Sequence, residues 1–149
     1  NTVGPRQTGQ YGMVVPRFVQ AAIKNEPIEV HGDGTQSRCF GHVADVVDGL
    51  CKLLHSNECL GQVINLGNDE EVTITGLAER AIALTNSTSQ IRYIPYSEAY
   101  GEGFEDMRRR VPSLEKAARL ISYKPTRTLD DIINDVAREF RENAGATTA

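Results

Sequence analysis

The stretch from residue 14 to residue 38, VVPRFVQAAIKNEPIEVHGDGTQSR, decides the fold. Apolar residues at helical spacing predict an amphipathic helix over Val14–Lys24, which Asn25-Glu26-Pro27 ends. Apolar and polar residues then alternate over Ile28-Glu29-Val30-His31, which predicts a short strand. Gly32-Asp33-Gly34 predicts a loop, because its two glycines permit positive φ. The stretch ends at Arg38, whose guanidinium is therefore expected at the rim of a sheet.

Short strands and helices continue to alternate after this stretch. Further strands are predicted at 39–43, 62–66 and 91–95, and further helices from Asp45 and after caps at Thr73 or Thr75, Ser113 and Thr128. The helix from Asp45 carries an apolar stripe that needs a sheet or a second helix to cover it: Val46, Val47, Leu50, Leu53 and Leu54. Four short strands with five helices predict an α/β domain, or an α+β-like fragment of one.

The composition of the chain excludes several classes of protein. The 149 residues carry a formal net charge of −4, which argues against binding to nucleic acid or to an acidic membrane through bulk charge. The three cysteines contain no CxxC pair and are expected to be free thiols in a reducing compartment. No apolar stretch approaches the ~20 residues that cross a bilayer. A soluble, cytoplasmic protein is expected.

Two groups of arginines carry the strongest signal for a binding site. Arg38 follows the glycine loop, and Arg108-Arg109-Arg110 closes the polar, aperiodic segment 96–110, which is expected to be a functional loop. Two guanidinium groups from distant segments can clamp one diphosphate. The competing interpretation is a solvated surface, since Glu102, Glu105 and Asp106 lie beside the triple arginine.

No catalytic or metal-binding constellation is visible in the sequence. Among potential zinc ligands only Cys39 and His42 have a suitable spacing, and a strand would point them to opposite faces. Neither Gly32-Asp33-Gly34 nor Gly101-Glu102-Gly103 completes GxGxxG, and no tyrosine is followed by a lysine four positions later. From its residues alone, the chain is expected to bind an anion and to perform no chemistry.

Five motifs in register resemble those of a known family. They are Asn1-Thr2-Val3-Gly4-Pro5-Arg6, Val14-Val15-Pro16-Arg17-Phe18-Val19, His31-Gly32-Asp33-Gly34-Thr35-Gln36-Ser37-Arg38, His42-Val43-Ala44-Asp45-Val46-Val47-Asp48-Gly49 and Asn65-Leu66-Gly67-Asn68. This order resembles the C-terminal half of NAD-dependent nucleotide-sugar epimerases and dehydratases, the extended short-chain dehydrogenases. The similarity is greatest to the UDP-glucuronate decarboxylase and UDP-glucose 4-epimerase branch.

The resemblance implies the C-terminal part of a Rossmann-type enzyme. Residues 1–143 are then a nucleotide-sugar substrate-binding domain, and 144–149 a disordered tail. The N-terminal part that binds NAD and carries the Tyr-x-x-x-Lys catalytic pair is absent, so the chain alone is expected to be inactive. The resemblance also implies a homodimeric parent whose interface lies in the absent part, which would leave this portion monomeric.

The resemblance assigns roles residue by residue. Asn1 matches a residue near the substrate phosphates, and Arg38 and Arg110 match the two arginines on the diphosphate, with Arg109 one register step away from the second. The other matched positions are beside the nucleotide or its base: Val15, Arg17, Val30 and His31. His31 stands where Tyr or Phe is usual, and Ser113 where Asp is usual but with capping expected to be kept.

Several alternatives remain open at this stage. The ligand is a UDP-sugar or a dTDP-sugar, and the reaction epimerisation, dehydration, decarboxylation or reduction. The segment Gly4–Gly12 and the loop 96–110 are expected to close over it. The competing function is a non-catalytic interaction module in which Arg108–Arg110 meets an acidic partner. RNA binding through the same arginines is disfavoured by the net charge and by the lack of neighbouring aromatic residues.

Overall fold

A computed structural model describes residues 1–7, 13–101, 103 and 106–146. Within them the strands are β1 (Thr2–Val3), β2 (Ile28–His31), β3 (Ser37–Cys39), β4 (Gly41–His42), β5 (Glu71–Thr73), β6 (Ile91–Ile94) and β7 (Arg109–Arg110). The α-helices are α1 (Val14–Lys24), α2 (Val43–Leu54), α3 (Ile74–Thr85), α4 (Tyr96–Tyr100), α5 (Glu115–Ile121) and α6 (Leu129–Ala146). The α/β class, with short scattered strands, is confirmed.

The strands form three small sheets. β1 pairs with β4, and β2 with β6, both in parallel. In the third sheet β3 lies in the middle, antiparallel to β5 and parallel to β7. This third sheet joins the residues just after the glycine loop to the triple arginine, although they are about 70 positions apart.

The core lies between α1, α3, α6 and the inner face of β2. The predicted helix over Val14–Lys24 and the strand over Ile28–His31 are both confirmed. Asn25 ends α1 in the left-handed conformation, with φ of 56°. On β2, Ile28 and Val30 face inward and are buried, so the alternation in sequence is the alternation of the two faces of the strand.

The predicted bounds of the strand at 39–43 are wrong, and so is the predicted start of the next helix at Asp45. β3 and β4 divide this segment, and α2 begins at Val43 because the His42 side chain caps it, accepting from the Ala44 N–H at 3.1 Å. Asp45 is instead buried in the first turn. Its carboxylate accepts four hydrogen bonds from Thr126 and Arg127, and it thereby holds the turn that precedes α6.

The predicted strand over 62–66 does not form within the described part of the chain. An extended segment becomes a strand only when a neighbour accepts and donates its backbone hydrogen bonds. The apolar stripe of α2 is likewise only half covered, since α5 and Tyr123 pack on the Gly49 side. Exposed apolar side chains remain on α2 and just after it: Val47, Leu50, Leu54, Leu60 and Val63.

The expected caps have mixed outcomes. Thr73 caps α3 by accepting from the Gly76 N–H, and Thr128 accepts from the Asp131 N–H at the start of α6. The prediction that Ser113 caps a helix is wrong, because α5 begins after Leu114 and has no side-chain cap.

The polar segment and the two ends of the chain differ in part from expectation. Segment 96–110 contains α4 and β7 instead of being irregular throughout. α6, the last helix, extends to Ala146. Residues 8–12, in the expected closing segment, and 147–149 lie outside the described residues.

Candidate functional site

A pocket of about 260 Å³ opens beside the third sheet, between α1, β2 and α4. Five of the seven residues that the sequence placed at a ligand lie around it: Asn1, Arg17, His31, Arg38 and Arg110. The pocket also holds two carboxylates, Glu29 and Asp106. Three guanidinium groups against two carboxylates leave a formal charge of +1 in a chain whose net charge is −4.

The register of β3 on β7 brings the two arginines together. Arg38 lies opposite Arg110, and Ser37 lies opposite Arg109. Because successive residues of a strand point to opposite faces, Arg38 and Arg110 share the face toward the pocket. On the other face Glu71 accepts from the Ser37 hydroxyl and pairs with Arg109 at 3.0 Å. The geometry therefore places Arg110, and not Arg109, beside Arg38.

The Arg38 side chain is only 10% exposed. Its Nη1 donates to the carbonyl of Ser37 at 2.7 Å, and its Nη2 donates to Asp106 Oδ1 at 2.6 Å. The other carboxylate oxygen of Asp106 accepts from the Tyr96 hydroxyl at 3.2 Å. Burial and the Asp106 carboxylate raise the pKa of Tyr96 to about 12, so this hydroxyl keeps its proton at neutral pH.

Asn1 makes hydrogen bonds to two neighbouring strands of the third sheet, β3 and β7. Its Nδ2 donates to the carbonyl of Cys39 at 3.1 Å, and its Oδ1 accepts from Arg110 Nη2 at 3.3 Å. The amide of Asn1 is therefore oriented by backbone at one end and directs the guanidinium of Arg110 at the other. Arg110 has no ion pair with a carboxylate of the described residues.

Arg17, His31 and Tyr100 form a second polar cluster in the pocket. Arg17 Nη2 lies 3.5 Å from His31 Nε2, and His31 Nδ1 lies 2.9 Å from the Tyr100 hydroxyl. An arginine only donates, so Nε2 is the acceptor and Nδ1 carries the proton. Burial, and then the charge of Arg17, lower the pKa of His31 below its ordinary value of 6.5. The imidazole is therefore neutral at pH 7.

Val15 and Val30 do not line the pocket. Both side chains belong to the core between α1, α3, α6 and β2 and are fully buried. The resemblance put them beside the nucleotide, but their side chains offer no surface to a ligand. Val15 lies on the apolar face of α1 and Val30 on the apolar face of β2, and both faces point into the core.

Several pocket residues were not among those predicted from the sequence, and they include Tyr96, Tyr100 and Asp106. In the sequence Asp106 is one of the acidic residues that favour a solvated surface, yet in the structure it pairs with the buried Arg38. The two tyrosines lie four positions apart in the polar segment, and this helical spacing was the available signal. In the described part of the chain no group of three His, Cys, Asp or Glu residues is arranged to hold a metal ion. The helices described there also include none that is long and apolar enough to cross a membrane.

Residues 1–67 match the family described as NAD dependent epimerase/dehydratase. The chain is 33% identical over 143 residues to UDP-N-acetyl-alpha-D-glucosaminuronate decarboxylase of Bacillus cytotoxicus, covering 95% of this chain and 44% of that protein. It therefore spans less than half the length of this curated relative.

Solved structures share the fold. An epimerase from Methanothermobacter thermautotrophicus superposes with a TM-score of 0.87 at 29% identity, covering 98% of this chain and 42% of the other. A UDP-glucose 4-epimerase from Thermotoga maritima, solved with UDP-glucose, gives a TM-score of 0.84 at 25% identity, covering 97% and 44%.

Proposed function

We propose that this chain, whose residues 1–67 match the NAD dependent epimerase/dehydratase family, is the part of such an enzyme that binds the nucleotide sugar. The observation that carries the proposal is the register of β3 on β7, which sets Arg38 and Arg110 side by side at one pocket. Guanidinium groups in this arrangement match the oxygens of a diphosphate. We assign the binding role to residues 1–143.

The energetics suit a diphosphate of moderate affinity. Each charge-assisted hydrogen bond contributes about 1.5–3 kcal/mol. Two or three such bonds contribute about 3–9 kcal/mol, whereas a dissociation constant of about 1 μM requires about 8 kcal/mol after the cost of ordering the ligand, so contacts to the nucleoside must contribute as well. Asn1 supports Arg110, the exposed arginine of the pair.

We assign the nucleoside to the cluster of Arg17, His31 and Tyr100. A neutral imidazole and a tyrosine ring give a base flat surfaces and hydrogen-bonding edges. The rings of His31 and Tyr100 meet edge to face, with centroids 5.2 Å apart. The T. maritima epimerase holds UDP-glucose, which favours a UDP-sugar as the ligand here; a dTDP-sugar is the second candidate.

We assign NAD and the catalytic pair to a part of the enzyme outside these 149 residues. The residues present do not fit NAD, since neither glycine pair completes GxGxxG, and no Tyr-x-x-x-Lys occurs. The exposed apolar side chains of α2 and the unpaired segment 62–66 support the existence of such a part, because both would be covered by a neighbouring sheet. On this proposal the chain binds and orients the sugar nucleotide, and hydride chemistry occurs on the other part.

Calorimetric titration with UDP and dTDP, on the complete polypeptide that carries this chain, tests the proposal. Arg38→Ala and Arg110→Ala should each weaken UDP binding at least about tenfold, because each removes a charge-assisted contact. Arg109→Ala is the matched control, since Arg109 is the neighbouring arginine on the opposite face. Unchanged affinity in both pocket variants, or an equal loss in the control, would refute the clamp.

The competing function, an interaction module built on Arg108–Arg110, has less support. Arg109 pairs with Glu71 on one face of the sheet, whereas Arg110 faces the pocket, so the arginines do not present one common surface. Ionic strength separates the two functions. Binding of an acidic protein partner should weaken steeply with salt and show no preference between nucleotides.

A further inference from the structure

Asp106 occupies a central position in the pocket that the proposed function does not explain. Its carboxylate lies between Arg38 and Tyr96, at 2.6 Å from Nη2 of the arginine and 3.2 Å from the hydroxyl of the tyrosine. All three side chains line the same pocket. An acidic group in a site for an anion either competes with the ligand or positions the arginine that binds it.

We propose that Asp106 is a positioning residue, which holds the guanidinium of Arg38 in the orientation that receives the diphosphate. This inference rests on the proposed function of the pocket. The Arg38 side chain is 10% exposed, and a buried charge without partners is strongly unfavourable. Asp106 supplies the only carboxylate that pairs with it among the described residues.

The contacts of Arg38 leave donors available for a ligand. A guanidinium has five N–H groups in one plane. The bonds to the Ser37 carbonyl and to Asp106 use one hydrogen on each terminal nitrogen and set the direction of that plane. Nε–H and the second hydrogen on each terminal nitrogen remain. A diphosphate can therefore bind Arg38 without displacing Asp106.

Asp106 is itself held by packed structure. The Tyr96 hydroxyl donates to it, and the Tyr96 ring lies against the glycine loop, where a Cβ at Gly32 would come within 2.5 Å of Cε2. Gly32 also has a positive φ of 78°. The chain of contacts thus runs from the loop after β2 through Tyr96 and Asp106 to Arg38. These contacts restrict the orientation of the Asp106 carboxylate more than solvent would.

Competition and positioning predict opposite signs for the same substitution. A competing carboxylate, once removed, leaves Arg38 more positive and the anion more tightly bound. A positioning carboxylate, once removed, releases the guanidinium and weakens binding. The charge that attracts the anion then comes mainly from Arg110, which no described carboxylate neutralises.

UDP titration of the complete polypeptide distinguishes the two. Asp106→Ala should weaken UDP binding about tenfold, and Asp106→Asn, which keeps an acceptor oxygen, should lose less. Glu71→Ala is a closely matched control. Glu71 is 32% exposed against 31% for Asp106, and each carboxylate pairs with an arginine and accepts from a hydroxyl, but Glu71 lies on the face away from the pocket. The control should bind UDP as the wild type does.

A double-mutant cycle with Arg38→Met supplies the second measurement. If Asp106 acts through Arg38, Asp106→Ala should have little further effect once Arg38 is replaced. Tighter or unchanged binding in Asp106→Ala would overturn the inference, as would the same tenfold loss with and without Arg38. A wild-type polypeptide that binds neither UDP nor dTDP would instead refute the proposed function.

Discussion

At the residue scale, the identity of a site residue depends on the direction of its side chain. Three consecutive arginines are equivalent in composition, but the register of β3 on β7 turns Arg110 toward the pocket and Arg109 toward Glu71. A shift of one residue would exchange the two. The sequence motif suggested Arg110, and the backbone pairing of β3 with β7 separates this arginine from Arg109.

Asp45 provides a residue-scale prediction about stability. Burial acts to raise the pKa of this carboxyl, but hydrogen bonds from Arg127 and Thr126 outweigh burial and hold the pKa below its ordinary value of 3.8. Asp45→Asn should lower the free energy of unfolding by roughly 2–4 kcal/mol, because charged hydrogen bonds inside the protein are lost. Urea denaturation monitored by circular dichroism measures the change.

The pH dependence of the same variant follows from the lowered pKa. A carboxyl with a lower pKa in the folded state stabilises the protein above its unfolded pKa, and this stabilisation is lost as the pH falls through the folded value. Wild type should therefore lose more stability than Asp45→Asn between about pH 5 and pH 2. Parallel curves would contradict the assignment. Asp48→Asn, an exposed substitution on the same helix, should change stability by less than about 0.5 kcal/mol.

At the element scale, helix packing builds the platform on which the pocket lies. α1, α3 and α6 pack together. β2 turns its apolar face inward and Glu29 and His31 toward the pocket, and α1 contributes Arg17 to the pocket beside Val14 and Phe18. The strands are too short to be stable alone. Their arrangement depends on the helices, which explains why the amphipathic patterns were predicted more accurately than the strand bounds.

Ile133 on α6 tests this dependence. The side chain is fully buried in the core, so Ile133→Ala should cost about 2–5 kcal/mol in unfolding free energy. Asn134→Ala, at the next and exposed position of the same helix, should leave stability nearly unchanged. Equal effects of the two variants would show that α6 does not pack as described.

At the scale of the whole molecule, the uncovered apolar surface is the main structural anomaly. Leu54 and Val63 are each 84% exposed and lie on α2 and on the unpaired segment 62–66. A domain that is stable as an isolated unit rarely exposes such an apolar surface to solvent. This surface and the length of the relatives both agree with the proposal that a neighbouring part of the polypeptide covers the chain here.

A comparison of the isolated chain with the complete polypeptide tests this interpretation. In the isolated chain Leu54→Gln and Val63→Gln should change the free energy of unfolding by no more than about 0.5 kcal/mol, because both side chains are exposed. In the complete polypeptide each should cost about 1.5–3 kcal/mol, the contribution of a buried aliphatic side chain. Equally small effects in both proteins would show that nothing covers this surface.

Local patterns in the sequence determined α1, β2 and the caps at Thr73 and Thr128, because side-chain periodicity and capping act over a few neighbouring residues. Tertiary structure alone decided the rest. Asp45 joins a turn about 80 positions away, Asp106 pairs with an arginine 68 positions away, and Arg110 lies opposite Arg38. Val15 and Val30, which the resemblance placed beside the nucleotide, have side chains buried in the core, and burial depends on the whole chain. Long-range contacts of this kind follow from packing and strand register, which local sequence does not specify.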